Sequence, residues 1–129
     1  MAEMTNFMEN SVINHYFRNT AYTPVATLYM ALHTADPTET GAVGEVTGNA
    51  YQRTAVTMGA PTDGVSTNSA DVTFPTATPA GWGSIAYTSI WDAQTVGNCL
   101  MYSPVDTAKT INAGDTAKYN AGQISITLT

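Results

Sequence analysis

The sequence predicts a mainly β protein, an antiparallel β-sandwich of about seven or eight short strands with one amphipathic helix at its N-terminal end. Three observations predict it. Apolar residues recur at helical spacing only in the segment 7–18. From residue 27 onward the apolar period is two, and Gly, Pro, Asn and Asp punctuate the runs at regular intervals. Thr (22 residues) and Ala (18) make up nearly a third of the 129-residue chain, and β-branched Thr favours strands while covering their outer faces without charge.

The helix is marked by Met8, Val12, Ile13, Tyr16 and Phe17. Asn6 with Glu9 three residues later resembles a capping box, and Pro24 bounds the latest point at which the helix has ended. In the run 27–34, Leu28, Met30 and Leu32 face one way while Tyr29, Ala31 and His33 face the other. The run 51–58 alternates less cleanly, with Val56 and Met58 on one face. Ala70, Val72 and Phe74 share a face in a strand expected to stop at Pro75, since proline offers no ladder N–H. Residues 85–92 and 98–103 read as a hairpin across the loop 93–97. Short runs near 107–111 and 116–119 flank the turn Asn112-Ala-Gly-Asp115, and the last strand alternates Ile124, Ile126 and Leu128 with Ser125, Thr127 and Thr129.

Two segments break this rhythm. Residues 36–49 hold three Gly and no strand pattern, and a loop of that length is usually functional or disordered. Residues 75–83 form a rigid, apolar-tipped connection carrying Trp82. The chain is therefore expected to be one domain, 1–129: a helical arm 1–20, then a sandwich 25–129 with the long loop 36–49.

Ten Asp and Glu stand against four Lys and Arg, for a net charge of −6. Such a surface repels phosphate backbones, so nucleic acid is not an expected partner. No apolar run approaches the roughly 18–20 residues of a membrane span, and no signal peptide with a basic start is present. The single cysteine, Cys99, allows neither an internal disulfide nor a Cys-based zinc cage. Only 11% of residues are charged, less than half the usual share of about 25%, which implies that much of the surface faces other protein.

Catalytic chemistry is not encoded in any recognisable spacing. His15 and His33 have no metal ligands or carboxylates at suitable offsets, and both read as surface or interface histidines. Cys99 alternates with Leu100 in a strand and reads as a small buried hydrophobe. Asp36, Glu39 and Glu45 lack the dense Asp-x-Asp pattern of a calcium loop, and Asp92, Asp106 and Asp115 sit beside turns, where Asp bonds the backbone. No cofactor, metal or enzymatic activity is expected.

Interfaces are the better candidate. Trp82 would be an interface anchor, or a platform for a sugar, if its loop tip exposes it. Arg18 and Arg53 are rare cations that call for carboxylate partners within the fold or across a subunit boundary. Because the helix and the 36–49 loop depart from the sandwich pattern, they are expected to make the main intersubunit contacts. Phe7, Val12, Tyr16 and Phe17 would act on the helix, with Glu39, Glu45, Arg53 and Trp82 beyond it.

The segment Tyr29-Met-Ala-Leu-His-Thr-Ala-Asp-Pro37 is followed by Gly44-Glu-Val-Thr-Gly48 and Tyr51-Gln-Arg53. Then come Asn68-Ser-Ala-Asp-Val-Thr-Phe-Pro75, Trp82-Gly-Ser-Ile85, Trp91-Asp-Ala93, Gly97-Asn98, Leu100 and Asn112-Ala-Gly-Asp-Thr116. In this order they resemble a family of small tailed-bacteriophage virion proteins, often labelled tail-fibre or structural proteins. The resemblance implies a virion component assembled in the bacterial host cytoplasm, and it transfers no catalytic residue. With no shaft repeat, the chain is expected to be a capsid decoration (cement) protein. It would be a homotrimer clamping neighbouring subunits of the major capsid protein through roughly 800 Å² per partner, with both chain ends, Met1 and Thr129, held in the assembly. The alternatives are a tail, head-fibre or fibre-adaptor component, and a carbohydrate-binding sandwich for host recognition.

Overall fold

A computed structural model describes residues 2–128; the expectations for Met1 and Thr129 lie outside the described residues. The chain runs β1 (Glu3–Met4), α1 (Asn6–Phe17), β2 (Leu28–His33), β3 (Thr54–Val56), β4 (Val65–Thr67), β5 (Val72–Thr76), β6 (Gly83–Trp91), β7 (Cys99–Ile111), β8 (Thr116–Tyr119) and β9 (Ser125–Thr127). It is mainly β with one helix, and every strand pair is antiparallel. Five strands form one sheet in the order β1-β7-β6-β2-β3, and two ribbons, β4-β9 and β5-β8, supply the rest.

The main core lies between the sheet and the ribbons. Met30, Leu32, Val56, Val72, Phe74, Trp82, Ile85 and Ile90 are buried there, with Tyr119 of β8 and Ile124 beside β9 packed against them. The alternation expected of β2 holds, since Met30 and Leu32 belong to this core. Its other face is buried as well: Ala31 and His33 are both 0% exposed. The covering comes from the 36–49 segment, which is seated along the sheet by the His33–Glu45 bridge and by Val46 N–H donating to Leu32 O at 3.0 Å. His33 is therefore not a surface residue.

Several strand boundaries differ from expectation: β3 covers only Thr54–Val56 and β6 starts at Gly83, and others differ for a local reason. β5 continues past Pro75 to Thr76, and a register shift between Thr73 and Thr76 accommodates the missing N–H. The runs near 98–103 and 107–111 merge into β7, because 109–111 pairs with β6 rather than with the segment after the turn. The turn itself forms, with Asn112 N–H donating to Asp115 Oδ2 at 2.8 Å, but it carries the chain from the sheet to the β5-β8 ribbon. The strands β1, within the segment 1–20 expected as a helical arm, and β4 were not expected; the Asp63-Gly64 turn before β4, with φ of +52° and +77°, is its local signal.

The helix begins one residue earlier than its apolar pattern. Thr5, rather than Asn6, is the N-cap: its Oγ1 accepts from Met8 N–H at 3.3 Å, and its hydroxyl donates to Cys99 O at 2.6 Å. Thr5 is 0% exposed, so the cap also fixes the helix to β7. The apolar side chains of α1 divide between two sides. Met8 and Val12 are half-buried toward the body, whereas Ile13, Tyr16 and Phe17 are exposed.

Candidate functional site

Two neighbouring features unite most of the residues singled out in the sequence. The first is a polar network beneath the 36–49 segment. Arg53 is 8% exposed and forms a fork with Glu45, Nε to Oε1 at 2.8 Å and an NH2 to Oε2 at 2.9 Å. Its remaining nitrogen donates to Ala93 O at 3.0 Å and Val96 O at 2.7 Å, and the guanidinium lies over the Trp91 ring. The carboxylate partner expected for Arg53 is thus within the fold. Tyr51 adds a third contact: it donates to Glu45 and accepts from Leu32 N–H at 3.1 Å, and burial raises its phenol pKa.

His33 sits beside this cluster. Its Nδ1 is 2.8 Å from Val43 O, and a carbonyl only accepts, so Nδ1 carries the proton. Nε2 then accepts from the Ser89 hydroxyl at 2.7 Å, and Ser89 Oγ accepts in turn from Trp91 Nε1–H at 2.7 Å. Burial lowers the His33 pKa, which keeps the imidazole neutral. The pair has the spacing of a nucleophile and its base, yet His33 is 0% and Ser89 1% exposed, and a backbone carbonyl stands where an orienting carboxylate would. Cys99 is buried on the same face and its thiol is pushed up to about 12, chiefly by desolvation.

The acidic residues of the segment do not converge. Asp36 accepts from Thr38 N–H, Glu45 is held by Arg53, and Glu39 reaches α1, accepting from Asn6 N–H at 2.9 Å. Glu39 also accepts from the Tyr102 hydroxyl at 3.1 Å, with Glu3 on the same hydroxyl at 2.9 Å. No group of His, Cys, Asp and Glu with metal-binding geometry occurs among the described residues.

The second feature is the α1 surface. Phe7 is 37%, Tyr16 75% and Phe17 80% exposed, and Val12 is half-buried in a shallow apolar cleft shared with Tyr22, Pro24 and Leu100. His15 lies in the last turn, accepting from Tyr22 N–H at 3.2 Å. Of the eight residues expected at an interface, these four all lie on α1, with Phe7, Val12 and Tyr16 around the cleft and Phe17 outside it. Glu39, exposed and anchored to its base, adjoins them.

Trp82 is a correction. It is 5% exposed, packs edge-on against Tyr51 at 5.3 Å, and donates Nε1–H to Asn49 O at 2.9 Å. The loop 75–83 turns its tip inward, so neither an interface anchor nor a sugar platform stands there. Thr5, Tyr51, Ser89 and Tyr102 were not singled out as parts of the site. Thr5 alone had a local signal, as a Ser/Thr/Asp/Asn-type residue directly before the helical run.

Comparison with known proteins bears on the whole chain. No curated protein matches it. A family model described as podophage GP4 fiber I protein gp80 matches residues 3–127, spanning the helix, all three sheets and the 36–49 segment. The chain belongs to this family of phage fibre proteins and is a structural component of the virion.

Proposed function

We propose that this protein is a non-enzymatic subunit of the virion's fibre apparatus, held in the particle by a neighbouring virion protein that covers the outer side of α1. The observation that carries this reading is the exposure of Ile13, Tyr16 and Phe17 at 51%, 75% and 80% on a helix whose start is fixed by Thr5. A helix with apolar residues on both sides is ordinarily covered on both. Exposed aromatic side chains are also enriched at interface centres. A fibre place follows from the family's description rather than from the geometry. The absence of catalysis is supported by the sealing of Ser89 and His33 beneath the 36–49 segment.

Copy number per purified virion, measured by mass spectrometry against the major capsid protein, tests the location. A count of about a dozen or fewer, as tail rings and vertices give, supports the fibre reading. A count close to that of the major capsid protein supports capsid decoration instead. Replacing Tyr16 and Phe17 together by Ser tests the surface. Incorporation should fall at least tenfold while the isolated protein unfolds at an unchanged temperature, because both side chains are exposed.

A further inference from the structure

The turn between β6 and β7 carries at its tip a residue that the fold itself does not favour. Val96 is 85% exposed, the most of any large hydrophobic side chain among the described residues. Its φ is +56°, in the left-handed region that Gly, Asn and Asp enter readily and a β-branched side chain resists. Six non-glycine residues have a positive φ among the described residues, and Val96 alone of them is a branched aliphatic. The turn cannot relax, because both of its sides are tied down. Arg53 donates to Ala93 O at 3.0 Å and to Val96 O at 2.7 Å. Asp92 accepts from Asn98 N–H at 2.7 Å and from the Asn98 side-chain amide at 2.9 Å. Within a single chain, asparagine would suit both this backbone and the surrounding water. Folding therefore supplies no reason for a valine, whereas strain held in place by its surroundings is a mark of functional positions.

We propose that Val96 is a knob that seats in the α1 cleft of a second copy of this protein. The cleft measures about 250 Å³ and is lined by Phe7, Val12, Tyr22, Pro24 and Leu100 among others. An apolar cavity of roughly 150 Å³ holds a benzene ring, so an isopropyl group has room. Leu100 lies only four residues from Val96, yet Val96 is exposed and so does not fill the cleft of its own chain. The turn residues Ala93, Gln94, Thr95, Val96 and Gly97 carry no charge, so their approach to an apolar cleft strips no ion of its water. The side-chain bonds that hold the turn also limit the freedom it would lose on contact. An exposed apolar side chain and an apolar pocket on one molecule make a contact between copies, and repetition through an assembly multiplies it. The neighbour proposed above covers Ile13 and Phe17, which lie outside the cleft, so the two contacts fail separately.

The test assembles virions from a mixture of chains, some carrying Thr95→Cys at the turn and others Ser11→Cys in the cleft, under oxidising conditions. Because each chain carries one of the two new thiols, a disulfide between them joins two copies. Its yield should exceed at least tenfold that of Ser11→Cys mixed with Thr47→Cys, an exposed position in the 36–49 segment. Adding Val96→Asn to the Thr95→Cys chains should cut the yield at least tenfold while raising the unfolding temperature of the isolated protein, since one substitution removes the knob and relieves the backbone. Yield is counted per incorporated copy, so loss of the outer α1 contact, which lowers incorporation, is read separately. A yield no higher than with Thr47→Cys, a yield unchanged by Val96→Asn, a lowered unfolding temperature, or a Thr95→Cys chain joined to a different virion protein would overturn the proposal.

Discussion

The guanidinium carbon of Arg53 lies 3.6 Å from the centroid of the Trp91 ring. This one contact explains why a cation is buried in a chain with so few. The planar fork stacks on the indole and satisfies its donors on Glu45, Ala93 and Val96. One side chain therefore joins the 36–49 segment, the start of β3 and the β6–β7 turn.

Arg53→Ala should destabilise the protein by about 3–5 kcal/mol, because it leaves the largely buried Glu45 carboxylate without its cation. Arg53→Lys should recover only part, since an ammonium cannot serve the fork and both carbonyls together. Urea unfolding of the two variants and of Glu45→Gln checks this; an Arg53→Ala loss below about 1 kcal/mol would show the network to be surface-like.

Stability should fall as pH drops below the ordinary histidine range. Burial lowers the His33 pKa in the folded state, so the unfolded chain takes up the proton first. The contribution is intact above the unfolded pKa of about 6.5 and is lost progressively as pH falls from there toward the depressed folded value. Unfolding midpoints measured between pH 7.5 and 5.5 should show this slope, and His33→Gln should flatten it.

Cys99 should resist alkylation in the folded protein. With its thiol raised to about 12, little thiolate exists at pH 8, and the sulfur lies beneath Gly41. Reaction with iodoacetamide should be at least tenfold slower than in denaturant, as followed by mass spectrometry.

Trp82→Ala should cost about 3–5 kcal/mol through the cavity it leaves beside Tyr51 and Phe74. Trp82→Phe should cost less, losing mainly the bond to Asn49 O. Thermal unfolding distinguishes the two, and a neutral Trp82→Ala would contradict its place in the core.

Local pattern made much of the fold legible. The helix, β2, the β6–β7 hairpin and the last strand follow from periods of 3.6 and 2, which depend only on neighbours in sequence. What was not legible depends on distant residues. His33 looks like a surface residue on the non-core face of β2 until the 36–49 segment folds over it. Trp82 looks exposed in a Pro- and Gly-rich loop until that loop turns its tip against Asn49. The singled-out residues divide in the same way: the place of Phe7, Val12, Tyr16 and Phe17 on one helix was readable because a short helix keeps its spacing, whereas the partners of Arg53 lie up to 43 residues away.

The fixation of α1 by Thr5 has a mechanical consequence. Thr5 N–H donates to Leu100 O at 2.9 Å while its hydroxyl holds Cys99 O, so tension on the helix enters β7 at the Cys99 end. Antiparallel ladder bonds lie across the strands, and a pull along the strand axis stretches many of them together instead of parting them singly. β7 is paired with β6 from Cys99 to Pro104, and again from Lys109 to Ile111 after a register shift, so a load received at the helix is shared first along the Cys99–Pro104 run.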